Sequence, residues 1–356
     1  MNNIFARITG IKYTPYLCKE LPTVELADFK QALSEKSTFV LRTDDDQQIA
    51  VSWWVSAKRT RTYPYARVYD SLLFSGKRVT IIPIVKDEGA DGERDFIQFD
   101  TVSLMSLLGV YVIIGYYMDA KRNPRYKNKI TKQRYDTNHI IEELLKISSY
   151  HSDALHWNLA QLECAGEIGE KAIESYARIS KELGVNVHSI ELARERIKQL
   201  QEGREAFLNL SRKLAQKAQK TESVTIQPKE SLEGEKARIT ITNYLGGKYF
   251  LTCDETEIDN NEIFLIEGKH AKGKHLPTLN DIKDGLLRMI LLTNLQDVRI
   301  GNKQFKSVPI LKLTTGHPIN LDSLKHERKE QLGLLKKESE KNGFRVLINS
   351  KFLSEE

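Results

Sequence analysis

Residues 248–270, KYFLTCDETEIDNNEIFLIEGKH, constrain the fold more tightly than any other stretch. Two apolar runs flank a polar turn at Asp259 and Asn260, the pattern of a β-hairpin. A strand period of two puts Glu267 and Lys269 on one face, separated by Gly268. Asp254 closes the first run, and the hairpin folds it back towards that pair. Two carboxylates and an ammonium at one strand end can hold a divalent cation and activate a water, which is what phosphodiester hydrolysis needs.

The flanks of the hairpin extend the pattern. Residues 204–219 repeat apolar positions Phe207, Leu210, Leu214 and Ala218 on one helical face, with Glu205 near the start. After the hairpin, Lys272, Lys274 and His275 form a short basic loop. Thr278 and Asp281 then have capping-box spacing just after Pro277, and the following helix is predicted to bury Ile282, Leu286, Met289 and Ile290. An apolar strand at 307–314, a charged helix at about 322–341 and a strand at 344–349 close the chain. Helix, antiparallel strands, helix and strand imply a mixed sheet flanked by helices.

The preceding half reads as a separate α/β region. With 356 residues, 40% of them apolar, the chain has material for two domains. Short strands and a helix over 23–37 lead to SWWVSAKRTRTYPYARVYD, where Trp53, Trp54, Tyr63, Tyr65 and Tyr69 alternate with Lys58, Arg59, Arg61 and Arg67. Such interleaving suits phosphate gripping and base stacking, and equally suits a strand with buried aromatics beside a basic turn. Residues 77–89 form a buried strand ending in acids, followed by a helix and strand up to Tyr117. Asp87, Glu88, Asp95 and Asp100 make a second candidate site, but Ile84 stands two before Lys86 where a metal ligand would be required. A salt-bridged scaffold is the reading preferred for those acids. Residues 121–134 carry seven Lys or Arg and no acid, and read as an exposed loop able to follow a DNA backbone or to serve as a connector. Residues 139–218 are helical in pattern, with stops at Gly184 and Gly203. His151 and His156 lie five apart, which no helical metal site uses, so packing or capping is their expected role.

Bulk properties exclude several classes. The three cysteines, Cys18, Cys164 and Cys253, are too scattered for a disulfide framework or zinc cluster, which suits a reducing, cytoplasmic setting. The N-terminus lacks a signal-peptide core, and the longest apolar run, 104–117, is too short to span a bilayer. A net charge of +6 suits a polyanionic partner.

Asp254, followed thirteen positions later by Glu267-Gly268-Lys269, resembles the PD-(D/E)xK nuclease superfamily, which includes most type II restriction endonucleases. Cys253 stands where the pattern has proline. Glu255, Glu257 and Asp259 compete for the first acid position, and Asp254 is preferred because KYFLT runs straight into it. Residues 62–117 also look like sequences described as bacterial restriction endonucleases. The resemblance implies an α/β fold with a restriction-endonuclease-like core at 205–356, an N-terminal α/β domain at 1–136 for DNA recognition, and a helical bridging segment at 137–204. It implies Mg²⁺ held by Asp254, Glu267 and the Gly268 carbonyl, with Lys269 holding or deprotonating the attacking water and Glu205 as a further acid. Double-stranded DNA would be gripped by Lys58, Arg59, Arg61, Lys121, Arg122, Arg125, Lys127, Lys272 and Lys274. A homodimer, a cognate DNA methyltransferase and no membrane partner complete the expectation of a sequence-specific endonuclease. A modification-directed nuclease holding a flipped base with Trp53 and Trp54, a non-catalytic nucleic-acid-binding protein, and an interaction protein built on the middle helices are the alternatives.

Overall fold

The computed structural model describes residues 2–58, 62–201, 235–244 and 248–353. Its architecture is mixed α/β, and it divides into one compact unit of residues 20–213 and another of residues 1–19 with 214–356. The first strand, β1 (Asn2–Ile8), belongs to the second of these.

The unit of residues 20–213 opens with β2 (Thr23–Glu25), α1 (Phe29–Glu35), β3 (Thr38–Arg42) and β4 (Gln48–Trp53). The helix expected over 23–37 is therefore confined to its last half, because Thr23–Glu25 pairs in parallel with β3. Next come α2 (Pro64–Asp70), β5 (Lys77–Pro83), the short strands β6 (Val85–Asp87) and β7 (Arg94–Phe96), α3 (Phe99–Leu107) and β8 (Val110–Gly115). The sheet order is β2-β3-β4-β5-β8, with β4, β5 and β8 parallel. Parallel strands covered on both faces read as continuous apolar runs, and all six residues of β8 are buried.

β9 (Tyr117–Arg122) and β10 (Ile130–Tyr135) then form an antiparallel ribbon where the sequence predicted a loop. The helices α4 (Thr137–Ser148), α5 (Ala154–Glu163), α6 (Ala165–Leu183) and α7 (Ile190–Gln201) follow. They belong to the compact unit of residues 20–213, where α4 and α5 pack on β8, and α6 packs on β9 and α7. The reason lies at the sheet edge. The Val112 and Ile114 N–H groups of β8 donate to Asn158 Oδ1 and Gln161 Oε1 of α5, at 2.7 and 3.2 Å. Trp157 Nε1 and Asn158 Nδ2 return bonds to the Val112 and Val110 carbonyls. A helix thus takes the place of the next strand and closes an otherwise sticky edge. Lys77 Nζ donates to the Ile147, Ser148 and Tyr150 carbonyls and ties the C-terminus of α4 to β5.

The other unit carries β11 (Glu235–Asn243), β12 (Lys248–Asp259), β13 (Glu262–Ala271), α8 (Leu279–Leu292), β14 (Gln296–Ile300), β15 (Lys303–Gln304), β16 (Lys306–Thr315), α9 (His326–Asn342), β17 (Arg345–Ile348) and β18 (Lys351–Phe352). Nine strands run in the order β15-β14-β1-β11-β12-β13-β16-β17-β18. β1 lies parallel to β11, so the N-terminus completes the C-terminal sheet rather than an N-terminal domain. β11, β12 and β13 form an antiparallel meander, and α8 crosses over to β16, which pairs in parallel with β13. The expected capping box is present at α8, with the Thr278 side chain accepting from the Asp281 N–H and Asp281 accepting from the Thr278 N–H. Its helix buries Ile282, Leu286, Met289 and Ile290 as predicted. Glu338 of α9, fully buried, accepts from Tyr13 Oη and from the Tyr16 and Leu17 N–H groups, and so anchors the segment after β1.

Helix α4 is capped by Asp136: its carboxylate accepts from the Asn138 and His139 N–H groups and from Tyr116 Oη. Burial opposes ionisation of Asp136, but these three donors outweigh it and lower its pKa. A depressed carboxyl contributes stability above its unfolded pKa and loses it as pH falls through the folded value. Asp136→Ala should cost about 1 kcal/mol of stability at neutral pH. The deficit should shrink in acid, as checked by denaturant unfolding across pH.

Candidate active site

The turn between β12 and β13 is Asn260-Asn261, with Asn260 at a φ of 54°, a left-handed value that asparagine tolerates. Asp254 does not close the first strand as expected. It lies in the middle of a strand that continues to Asp259. What sets it apart is a bulge: β12 slips register against β11 between Cys253 and Thr256, and its pairing with β13 ends at Glu255–Ile266. Beyond that point side chains replace the backbone ladder. Cys253 Sγ lies 3.2 Å from the Ile266 carbonyl, and Asp254 Oδ2 accepts from the Gly268 N–H at 2.9 Å. In a strand the N–H and C=O of one residue point the same way, so the Gly268 carbonyl faces the gap that Asp254 occupies. Burial, with Asp254 and Glu267 nearby, pushes the pKa of the Cys253 thiol up.

Glu267 is 2% exposed, and each of its oxygens meets a cation. Oε1 lies 3.0 Å from Lys269 Nζ, and Oε2 accepts from Arg288 Nη1 at 2.7 Å. Arg288 also donates to the Thr252 carbonyl at 3.1 Å. Lys269 Nζ donates to Asp284 Oδ2 at 2.7 Å. Burial alone would lower the pKa of Lys269, but Glu267 and Asp284 outweigh it and raise the value, so the group is an ammonium. The ammonium donates to Asp284, faces Glu267 as an ion pair, and has donor capacity left over among the described residues. Gly285 allows this approach, since a Cβ there would come within 2.7 Å of Leu311 Cδ1 and 3.2 Å of Lys269 Cε.

A second buried pair backs the first. Register places Gly268 opposite Lys312 and Ile266 opposite Glu255, so these four share the sheet face opposite Glu267. Lys312 Nζ reaches Glu255 Oε2 at 2.8 Å, spanning β13 beside Gly268, where no side chain stands in the way. Glu255, a competitor for the first acid, is thereby committed to a structural pair.

The structure thus places Asp254, Glu267 and Lys269 where β12 and β13 separate, and adds Asp284, Arg288 and Lys312, which the sequence reading did not single out. Asp284 and Arg288 had a signal: an acid and a base four apart on a helix whose other faces are apolar. The remaining expected DNA-binding residues are dispersed. Lys272, Lys274 and His275 are exposed in the loop after β13. Arg59, Arg61, Glu205 and the helix predicted at 204–219 lie outside the described residues. Lys58 pairs with Glu93. Trp54 is fully buried with Nε1 on Thr80 Oγ1, and Trp53 donates to the Lys36 carbonyl beneath the Arg67 guanidinium, so neither is placed to stack a flipped base. Three of the four acids of the second candidate site are spread over separate bonds. Asp87 meets His188, Glu88 meets Lys86 and Lys129, and Asp95 accepts from Ser56 Oγ. His156 caps with Asp153, as its predicted role allows.

Among the described residues no group of three or more His, Cys, Asp or Glu is arranged to hold a metal ion. The oxygens on hand where β12 and β13 separate are those of the Asp254 and Glu267 carboxylates and the Gly268 carbonyl. That all-oxygen set fits Mg²⁺, which keeps several waters, and Thr252 Oγ1, buried with no partner among the described residues, adds polar capacity in the same strand. No family model matches the sequence, and no curated protein or solved structure matches it.

Removing one partner of a buried ion pair strands the other charge. Arg288→Met should cost roughly 3 kcal/mol in denaturant unfolding, and Glu267→Gln on that background should recover part of it. Independent, additive costs would show that the two side chains do not act as a pair.

Proposed function

We propose that this chain is a Mg²⁺-dependent double-stranded DNA endonuclease of the PD-(D/E)xK type, hydrolysing phosphodiester bonds at specific sites. The observation that carries the reading is the convergence of Asp254, Glu267 and Lys269 at the point where β12 and β13 separate. The meander of β11, β12 and β13, followed by a helix and a parallel β16, agrees with the element order in which that motif occurs.

Bound Mg²⁺ would supply a Lewis acid for the phosphodiester oxygens. Asp254 and Glu267 would hold it, one from each strand, with the Gly268 carbonyl between them. Arg288 keeps Glu267 Oε2 occupied, so Glu267 offers one oxygen, Oε1, on the side of Lys269. Asp284 would hold the Lys269 ammonium in place independently of Glu267. The remaining donor capacity of Lys269 binds and orients the attacking water or a phosphoryl oxygen, and its charge balances the phosphorane. Exposed Lys272 and Lys274 stand after the same strand to meet flanking phosphates. A site-specific nuclease of this kind works beside a methyltransferase that protects the host sites, and a two-fold site favours a homodimer.

One observation favours a second reading. Both Glu267 oxygens already carry cations, which is also how a purely structural buried carboxylate is satisfied. In that case the chain binds nucleic acid without cutting it.

Incubation of a long DNA with the protein separates the two. Discrete fragments should form with Mg²⁺ and not with EDTA. Asp254→Asn and Lys269→Met should each reduce cutting by at least about 100-fold while the protein still binds DNA. Cutting at the unaltered rate in both variants would remove the proposed centre, and absence of cutting by the unaltered protein on methylated and unmethylated DNA alike would leave the binding reading.

A further inference from the structure

Ribbon β9–β10 and the acidic loop beneath it form one device. The seven cations of residues 121–134 are not equivalent. Lys129 pairs with Glu88, and Arg134 pairs with Asp119. Lys121, Arg122, Arg125, Lys127 and Lys132 are exposed, and none has an acid within ion-pair distance among the described residues. The ribbon's base is held firmly. The Ile130 N–H donates to the Glu88 carbonyl, Asp91 and Asn128 exchange bonds, and Gln133 Nε2 donates to the Asp87 carbonyl at 2.6 Å. Gly89, at a φ of 88°, lets the loop touch the ribbon: a Cβ there would fall 2.2 Å from the Asn128 carbonyl oxygen. At the tip, Asn123 Oδ1 accepts from the Arg125 and Tyr126 N–H groups, and Tyr126 is 56% exposed.

The direction of Lys132 is set by a bulge. Between Thr131–Lys121 and Arg134–Asp119, β10 contains one residue more than β9. Lys132 takes up the extra residue with a φ of 50°, a conformation that suits glycine far better than lysine. Simple alternation would put Lys132 on the face of buried Ile130; the bulge turns it outward and Gln133 inward. Backbone strain thus keeps a cation at the surface.

We infer that the β9–β10 ribbon is the element with which the unit of residues 20–213 grips duplex DNA, through Arg122, Arg125, Lys127 and Lys132. A two-stranded ribbon fits the major groove, and exposed, unneutralised cations around one exposed tyrosine at its tip suit a phosphate backbone. Asp87 and Glu88, acids of the second candidate site, hold the ribbon in place. This inference rests on reading the chain as DNA-acting, and not on the chemistry at Glu267.

The test is fluorescence anisotropy of the full-length protein on a labelled mixed-sequence duplex in EDTA, where no cutting occurs, between about 50 and 200 mM salt. The triple variant Arg122→Ser, Arg125→Ser, Lys127→Ser should bind at least tenfold more weakly. Its salt slope should shrink by about 0.9 for each phosphate that the protein no longer neutralises. Lys132→Gly, whose backbone suits the bulge, should keep the fold by circular dichroism and bind more weakly than the unaltered protein. Lys329→Ser, Lys337→Ser, Lys341→Ser removes equal charge from exposed positions of α9 and should change neither affinity nor slope. A ribbon variant with the unaltered slope, or a control variant as weak as the ribbon variant, would overturn the inference. So would strong binding to phosphatidylglycerol vesicles that the ribbon variant abolishes while duplex binding persists. Mg²⁺-dependent cutting with an unchanged slope would leave the nuclease reading standing without the ribbon; a reduced slope without cutting would do the reverse.

Discussion

A carboxylate taken almost wholly out of water has to be matched by charge, and Glu267 is the point where this sheet meets that demand. A lone buried carboxylate costs several kcal/mol after relaxation. Here Lys269 comes from the same strand and Arg288 from the helix that crosses it, and Asp284 binds the ammonium from its other side. The cluster is three carboxylates, counting Asp254, against two cations. Its formal charge is −1, which leaves room for a divalent cation without gross imbalance. The close passage of α8 at Gly285 is what allows Asp284 to meet the end of β13.

The bulge in β12 has a comparable role for the backbone. Strands β12 and β13 stop pairing at Glu255–Ile266, and unpaired N–H and C=O groups there would be costly. Cys253 and Asp254 satisfy them with side chains. The opening exposes the Gly268 carbonyl beside Asp254, while Glu255 and Lys312 brace the opposite face. A gap in a sheet is thus held open by neighbours that each have another partner. In the other unit the same device appears at β8, whose free edge is closed by Asn158 and Gln161, and at Lys132, where a bulge redirects a charge.

Legibility in the sequence tracked the range of the interaction. The hairpin turn, the capping box at Thr278 and the apolar face of α8 depend on residues within a few positions of each other, and local pattern is enough for these. Strand parity likewise placed Glu267 and Lys269 together. Where a competing local signal existed, reading failed. Thr23–Glu25 looked like a helix start but pairs with β3, and the Lys, Pro and Asn residues of 121–134 looked like a loop although two strands flank a short tip. The aromatics Trp53 and Trp54 matched a base-stacking pattern because burial and stacking ask for the same side chains.

By itself, then, the sequence determined the β12–β13 hairpin, helix α8 with its cap and the alignment of one acid with one lysine, since those follow from backbone period and turn chemistry. Tertiary structure alone decided which strands are neighbours, because pairing β1 with β11 joins residues more than two hundred positions apart. It also decided that Arg288 and Asp284 meet Glu267 and Lys269, and that Lys312 crosses β13 to Glu255. Those partnerships arise from packing a helix on a twisted sheet, where a side chain's neighbour is set by the crossing and not by its place in the chain.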